Sequence, residues 1–124
     1  MVPGNFQIFD SREAARFLMC LRDRPTGIVA GNDNSAFGVI RGCREAGYRV
    51  PDDVSVIGIG NVEGDQHPNP FLTTVHWDRM EMGREAARVL LAQIGEETLK
   101  PPAREIFAPS LLIRQSTAPP VRPD

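Results

Sequence analysis

The 124-residue sequence predicts an α/β domain built on a parallel sheet, and three features predict it. Segments follow one another in the order strand, helix, strand, helix, strand, as βαβ architecture requires. The first two strand segments are mostly apolar instead of alternating, which is the pattern of strands covered on both faces. Gly31 and Gly58 fall at the ends of those two strands, at the carboxyl edge where open α/β sheets bind ligands. A cleft is therefore expected near Asn32 and Gly60.

Each element has its own local signals. Asp10 is placed to cap a first helix, with Glu13 completing a capping box. Ala14, Phe17, Leu18 and Leu21 recur at the spacing of an amphipathic inward face, and Arg24-Pro25 stops the helix. Residues 26–31 (TGIVAG) read as a strand buried on both faces. Asn32-Asp33 caps a second helix whose core stripe is Ala36, Val39, Ile40 and Cys43, with Gly47 as the left-handed stop. A turn at Pro51-Asp52-Asp53 leads into a second buried strand at 54–59 (VSVIGI). A polar loop over 60–71 precedes an extended, Thr- and Val-rich segment at 72–77. Asp78 and Glu81 form another capping pair, opening a third helix that groups Met82, Ala86, Val89 and Leu90 on one face and ends at Gly95. Beyond a Pro-broken turn at 100–103, residues 105–108 and 111–115 are extended. The organisation expected is one domain over 1–117 and a flexible, proline-rich tail over 118–124.

Composition narrows the function classes. Fourteen Lys and Arg are interspersed with sixteen Asp and Glu, for a net charge of −2, so a surface that grips DNA by itself is not expected. Cys20 and Cys43 sit in helical patterns without metal-ligand spacing and read as buried free thiols. The chain opens without a basic, apolar leader, and no apolar run reaches membrane-spanning length, which predicts a cytoplasmic protein with no membrane partner. No cofactor and no metal site is expected: Glu63, Asp65, His67 and His76 lack ligand spacing. Enzyme chemistry is disfavoured, because nucleophile elbow, paired acids and metal cluster are all missing, and Gly58-Ile59-Gly60 followed by Asn61-Val62-Glu63 fails GxGxxG.

Four segments, RPTGIVAGNDNSAFGVIRGCREAGYRVPDDVSVIGIGN, PFLTTV, EMGREAARVLL and SLLIRQSTAPP, in that order and spacing, resemble the last third of LacI/GalR-type regulators. The resemblance implies an incomplete periplasmic-binding-protein-like fold of type I. It would comprise most of the C-terminal lobe plus one helix of the N-terminal lobe. The stretch 73–77 would cross into the second lobe and 111–115 would return. The family's DNA-binding helix-turn-helix would lie outside these residues, so any DNA contact would be made by that absent N-terminal segment.

The resemblance also singles out residues. Asn32 occupies a position where family members place a polar contact to a sugar or nucleobase, and a carboxamide both donates and accepts; spacing alone makes it a helix cap, and both roles are expected. Asp33 reads as more structural. Gly60 departs from the family, because the aspartate that usually grips the ligand is absent; Asn61, one residue on, is the candidate stand-in. A carboxylate there would make charge-assisted bonds worth about 1.5–3 kcal/mol each. Either the effector is not a typical sugar or sensing has weakened. Trp77 is a candidate stacking face for a sugar, or a packing residue, and His76 reads as a surface residue. The resemblance implies that the helix after Asn32-Asp33 forms part of a homodimer interface, with the loop that carries His67 nearby; Phe37, Arg41 and Arg44 share a face of that helix distinct from the core stripe and match interface composition.

The function expected is sensing of a sugar-like effector, and dimerisation, within a LacI-type regulator. Two alternatives remain open: a truncated remnant that only dimerises, and a sugar-binding protein of a transport system.

Overall fold

The computed structural model describes residues 1–62, 70–94 and 106–120. The elements are α1 (Ile8–Met19), β1 (Gly27–Val29), α2 (Asp33–Glu45), β2 (Ser55–Ile59), β3 (Thr73–His76), α3 (Arg79–Gln93) and β4 (Ser110–Leu112). The strands make one sheet in the order β1-β2-β3-β4. β1 runs parallel to β2 with Gly27 opposite Ser55, and β2 runs parallel to β3 with Ile57 opposite Thr73. The α/β class and the parallel sheet are as the sequence predicts. The chain divides into two compact units, one of Met1–His76 with Leu111–Asp124 and one of Trp77–Ser110. Those divisions fall where the crossover and the return were expected.

In the first unit the core gathers Ala15, Met19, Ala30, Ala36, Val39, Ile40, Cys43, Val50, Val54, Val56 and Leu72. The predicted stripe of α2 is all in that set. Its N-terminus is capped by Asn32, whose Oδ1 accepts from Ser35 N–H at 2.8 Å. At its other end Gly47 takes φ +87°, and the N–H groups of Gly47 and Tyr48 reach the carbonyls of Arg44 and Cys43. On the α1 side α2 has almost no side chain. A Cβ on Gly38 would strike the carbonyl of Ile8, and one on Gly42 the carbonyl of Arg12. The two backbones therefore approach closely.

That approach corrects the face assigned to α1. Its buried residues are Ser11, Ala15 and Met19, the small-residue side that fits against those glycines. The expected stripe is not in the core: Phe17 and Leu21 are exposed, while Ala14 and Leu18 line a groove of about 920 Å³ beside β1. The helix also starts earlier than Asp10, with Gln7 as its N-cap, so Asp10 lies in the first turn and accepts from the side chain of Asn5 at 2.8 Å. It ends at Met19, before Arg24-Pro25 can act as its stop. Cys20, expected to be buried, is exposed; only Cys43 is buried.

β1 differs as well. It is an edge strand, and Val29 is 72% exposed. The apolar run 26–31 signals two covered faces, yet a strand at a sheet edge needs a neighbour to supply the second cover. β2 comes closer to expectation, with Val56 and Gly58 buried and the residues between them partly so. At the end of the chain β4 covers Ser110–Leu112, not 111–115, and residues 106–108 carry no strand. Of the expected tail, Ala118 exchanges two hydrogen bonds with the Ser55 hydroxyl, each 3.0 Å.

In the second unit Asp78 caps α3 as predicted, accepting from Glu81 N–H at 2.8 Å. Met82, Ala86, Val89 and Leu90 do share one face, lining a groove of about 350 Å³ with Phe107. None of the fifteen helical residues is buried, so that face lacks the cover a core would give it. The expected stop, Gly95, and the turn at 100–103 lie outside the described residues, and the described helix closes at Ile94. No helix among the described residues is long and apolar enough to cross a membrane.

Candidate functional site

The carboxyl ends of β1 and β2 bring together the N-terminus of α2 and the start of the loop after β2. Asn32 sits between them, partly exposed. Its Oδ1 is committed to the helix cap, whereas among the described residues its Nδ2 reaches only the carbonyl of Phe6, at 3.5 Å. That distance marks a weak bond, so the amide remains able to donate outward. Both roles expected of Asn32 fit this geometry.

Gly60 and Asn61 take left-handed backbone conformations, φ +129° and +55°. Gly60 N–H is bonded to Val75 O at 2.9 Å, which closes the end of β2 onto β3. Asn61 is buried, and its Oδ1 accepts from the Arg114 guanidinium at 2.6 Å. Arg114 also donates to Leu72 O at 3.0 Å, and its own N–H reaches Thr73 Oγ1 at 2.9 Å. The oxygen that would have replaced the absent aspartate is thus occupied by a guanidinium. As a stand-in ligand, Asn61 has only what its oxygen leaves over.

Asp33 is completely buried at the first turn of α2. Oδ2 accepts from Val62 N–H and Oδ1 from the Thr74 hydroxyl, both at 2.6 Å. A buried carboxylate is tolerated where it is fully hydrogen-bonded, and the helix N-terminus favours its negative charge. The structural reading of Asp33 agrees with these bonds.

Sequence reasoning missed Phe6. It precedes α1, is 64% exposed, and its ring lies so close to Gly31 that a Cβ there would come within 2.9 Å of it. The groove beside β1 runs past it and includes Gly31, Ser35 and Ile59, though not Asn32, Gly60 or Asn61. An aromatic four residues before the expected cap at Asp10 was the available local signal, and no role was assigned to it.

Trp77 is partly exposed and belongs to the second unit, apart from the unit that holds the other candidates. His76 is partly exposed, and its Nδ1 is buried without a hydrogen-bond partner among the described residues. Among the described residues no three His, Cys, Asp or Glu side chains group as metal ligands. Glu63, Asp65 and His67 lie outside those residues.

Of the residues expected at an interface, Phe37 packs partly buried against the core and so belongs to it more than its helical position suggested. Arg44 lies over the Phe71 ring at 5.5 Å, and Arg41 pairs with Glu45 at 3.0 Å. Arg12 engages the same carboxylate at 2.6 Å. The bonds from Arg12 and then Arg41 hold the Glu45 carboxyl below the usual carboxylate range.

Comparison with known proteins places this geometry. Residues 4–117 match the family described as periplasmic binding protein-like domain. The HTH-type transcriptional repressor PurR of Mannheimia succiniciproducens is 42% identical over 116 residues, 94% of this chain and 34% of the repressor. An uncharacterized protein from Actinobacillus succinogenes superposes with a TM-score of 0.81 at 30% identity, covering 92% of this chain and 42% of that one. A LacI family transcriptional regulator from Enterococcus faecium, solved with bound ribose, gives a TM-score of 0.78 at 31% identity, covering 98% and 44%. The chain spans about a third of the length of the curated relatives it matches, 34% in the first case. Those relatives are transcriptional repressors, not enzymes. The chain belongs to the periplasmic-binding-protein-like domain family, and it is similar to part of LacI-type transcriptional regulators.

Proposed function

We propose that this chain senses a small-molecule effector, a sugar or a compound of similar size and polarity, and dimerises, as part of a cytoplasmic LacI-type regulator. DNA contact in that regulator belongs to a helix-turn-helix outside these residues. The observation that carries the reading is Asn32: one end of its carboxamide is fixed by the helix cap, and the other reaches the backbone carbonyl of Phe6, whose exposed ring lies against the neighbouring Gly31. A fixed amide next to an aromatic face suits a ligand with hydroxyls on its rim and a flat apolar face. The ribose bound by the Enterococcus faecium regulator supports that chemistry. Gly60 leaves room in place of a carboxylate, and Asn61 supports the loop. Phe37, Arg41 and Arg44 form the dimer face.

Two substitutions separate the two roles. Calorimetric titration with D-ribose is expected to show saturable binding, weakened at least tenfold by Asn32→Ala with the oligomer mass unchanged. Phe37→Asp is expected to convert a sedimenting dimer to monomer. Unaltered affinity in the first variant removes Asn32 from the site, and unaltered sedimentation in the second removes the interface.

A further inference from the structure

We propose that Asp33 and Thr74 are positioning residues of this site, a buried clamp that holds the Gly60–Val62 loop in its left-handed course. The proposal rests on the effector reading for its functional meaning, but not for its geometry. Asp33 is 0% exposed, so it cannot touch a ligand and must act through what it holds. Its two oxygens take the Val62 N–H and the Thr74 hydroxyl. Thr74 is equally buried, and its Oγ1 also accepts the Asn61 N–H at 3.4 Å. Two consecutive loop amides therefore end on this pair.

The surroundings are shaped to admit the clamp. A Cβ on Gly58 would collide with the Asp33 carboxylate, so the last turn of β2 can pass over it only as glycine. Asn61 holds φ +55°, a conformation uncommon for a residue with a side chain and kept where surrounding bonds over-determine it. Arg114 fixes the side chain of Asn61 while the clamp fixes its backbone. Thr74 lies on β3, two residues before the chain passes into the second unit, and Arg114 lies just after it returns. The loop is thereby tied to both passages of the chain, and its course sets where Gly60 stands relative to Asn32.

The test is amide hydrogen exchange by NMR on the full 124-residue chain. Thr74→Val keeps the shape and removes the hydroxyl; Thr74→Ser keeps the hydroxyl. Thr74→Val is expected to speed exchange at Asn61 at least tenfold, with the sheet amides of Ala30 and Val56 unchanged, and Thr74→Ser to stay within threefold of the parent. Asp33→Ala is expected to release Val62 as well. Unchanged exchange at Asn61 in Thr74→Val, or an equal rise at Ala30 and Val56, overturns the clamp. If D-ribose binds, Thr74→Val is expected to weaken it at least tenfold while leaving the stoichiometry intact. Absence of ribose binding in the parent counts against the effector reading and leaves the exchange result to decide the clamp.

Discussion

Helices α2 and α3 are of similar length, thirteen and fifteen residues, and each opens on a side-chain cap. Eight residues of α2 are buried, and none of α3 is. α2 lies between α1, which its glycines admit to backbone contact, and the sheet, which takes Ala36, Val39, Ile40 and Cys43. α3 has i,i+3 ion pairs on one side, Arg84 with Glu81 and Arg88 with Glu85, and an open apolar groove on another. The caps and ion pairs stabilise a helix by tenths of a kcal/mol to about 1 kcal/mol each, whereas burial of one large apolar side chain contributes about 1.5–3 kcal/mol. The difference between the helices is therefore one of tertiary cover and not of helix-forming strength. The first unit is where this chain's folding energy is concentrated.

Three measurements press on that contrast. The largest effect is expected from Gly42→Val, which forces a branched side chain into the α1 backbone. Overpacking of this kind costs about 1–3 kcal/mol and more where backbone is struck, so the urea midpoint should fall well below that of the parent. A midpoint within error of the parent would mean that α1 is not packed on α2 in solution.

A smaller effect follows from Cys43, whose thiol burial pushes up to about 11 from an ordinary 9.0. The protonated form is the one the fold holds, so its contribution is complete below pH 9. Above that the unfolded thiol ionises while the folded one does not, and stability falls by about 2 kcal/mol as pH rises toward 11. Cys43→Ala should remove that part of the slope; an identical slope in the variant would assign the alkaline loss to other groups. The smallest effect belongs to α3. Leu90 is exposed, and Leu90→Ser should change the unfolding free energy from urea titration by less than about 0.5 kcal/mol. A loss of 2 kcal/mol or more would show that another surface covers α3.

How much of this was legible in the sequence depends on the range of the interaction. The caps at Asn32 and Asp78, the core stripe of α2 and the stop at Gly47 are set within a few residues and were read correctly. The face of α1 was misread because its partner is α2; the pair Gly38 and Gly42, four residues apart, was the overlooked sign of close approach. β1 was taken as covered on both sides because apolar content reports a need for cover and not the presence of it. At the candidate site Asn32 and Gly60 were singled out by the strand ends and by the family pattern. The commitment of Asn61 to Arg114, fifty-three positions away in sequence, could not be found, because nothing in either local stretch announces the other. Phe6 was lost when the first helix was started at Asp10 and not at Ile8.

The central claim is that a ligand enters at the carboxyl edge beside Asn32. The most direct test follows backbone amide shifts of the chain during titration with D-ribose, D-glucose, sucrose and adenine. At least one of these is expected to move Gly31, Asn32 and Gly60 in a saturable way, leaving the α1–α2 amides at Gly38 and Gly42 in place. Saturable shifts confined to other residues, or none at these three with any of the four, would contradict an effector site at that edge.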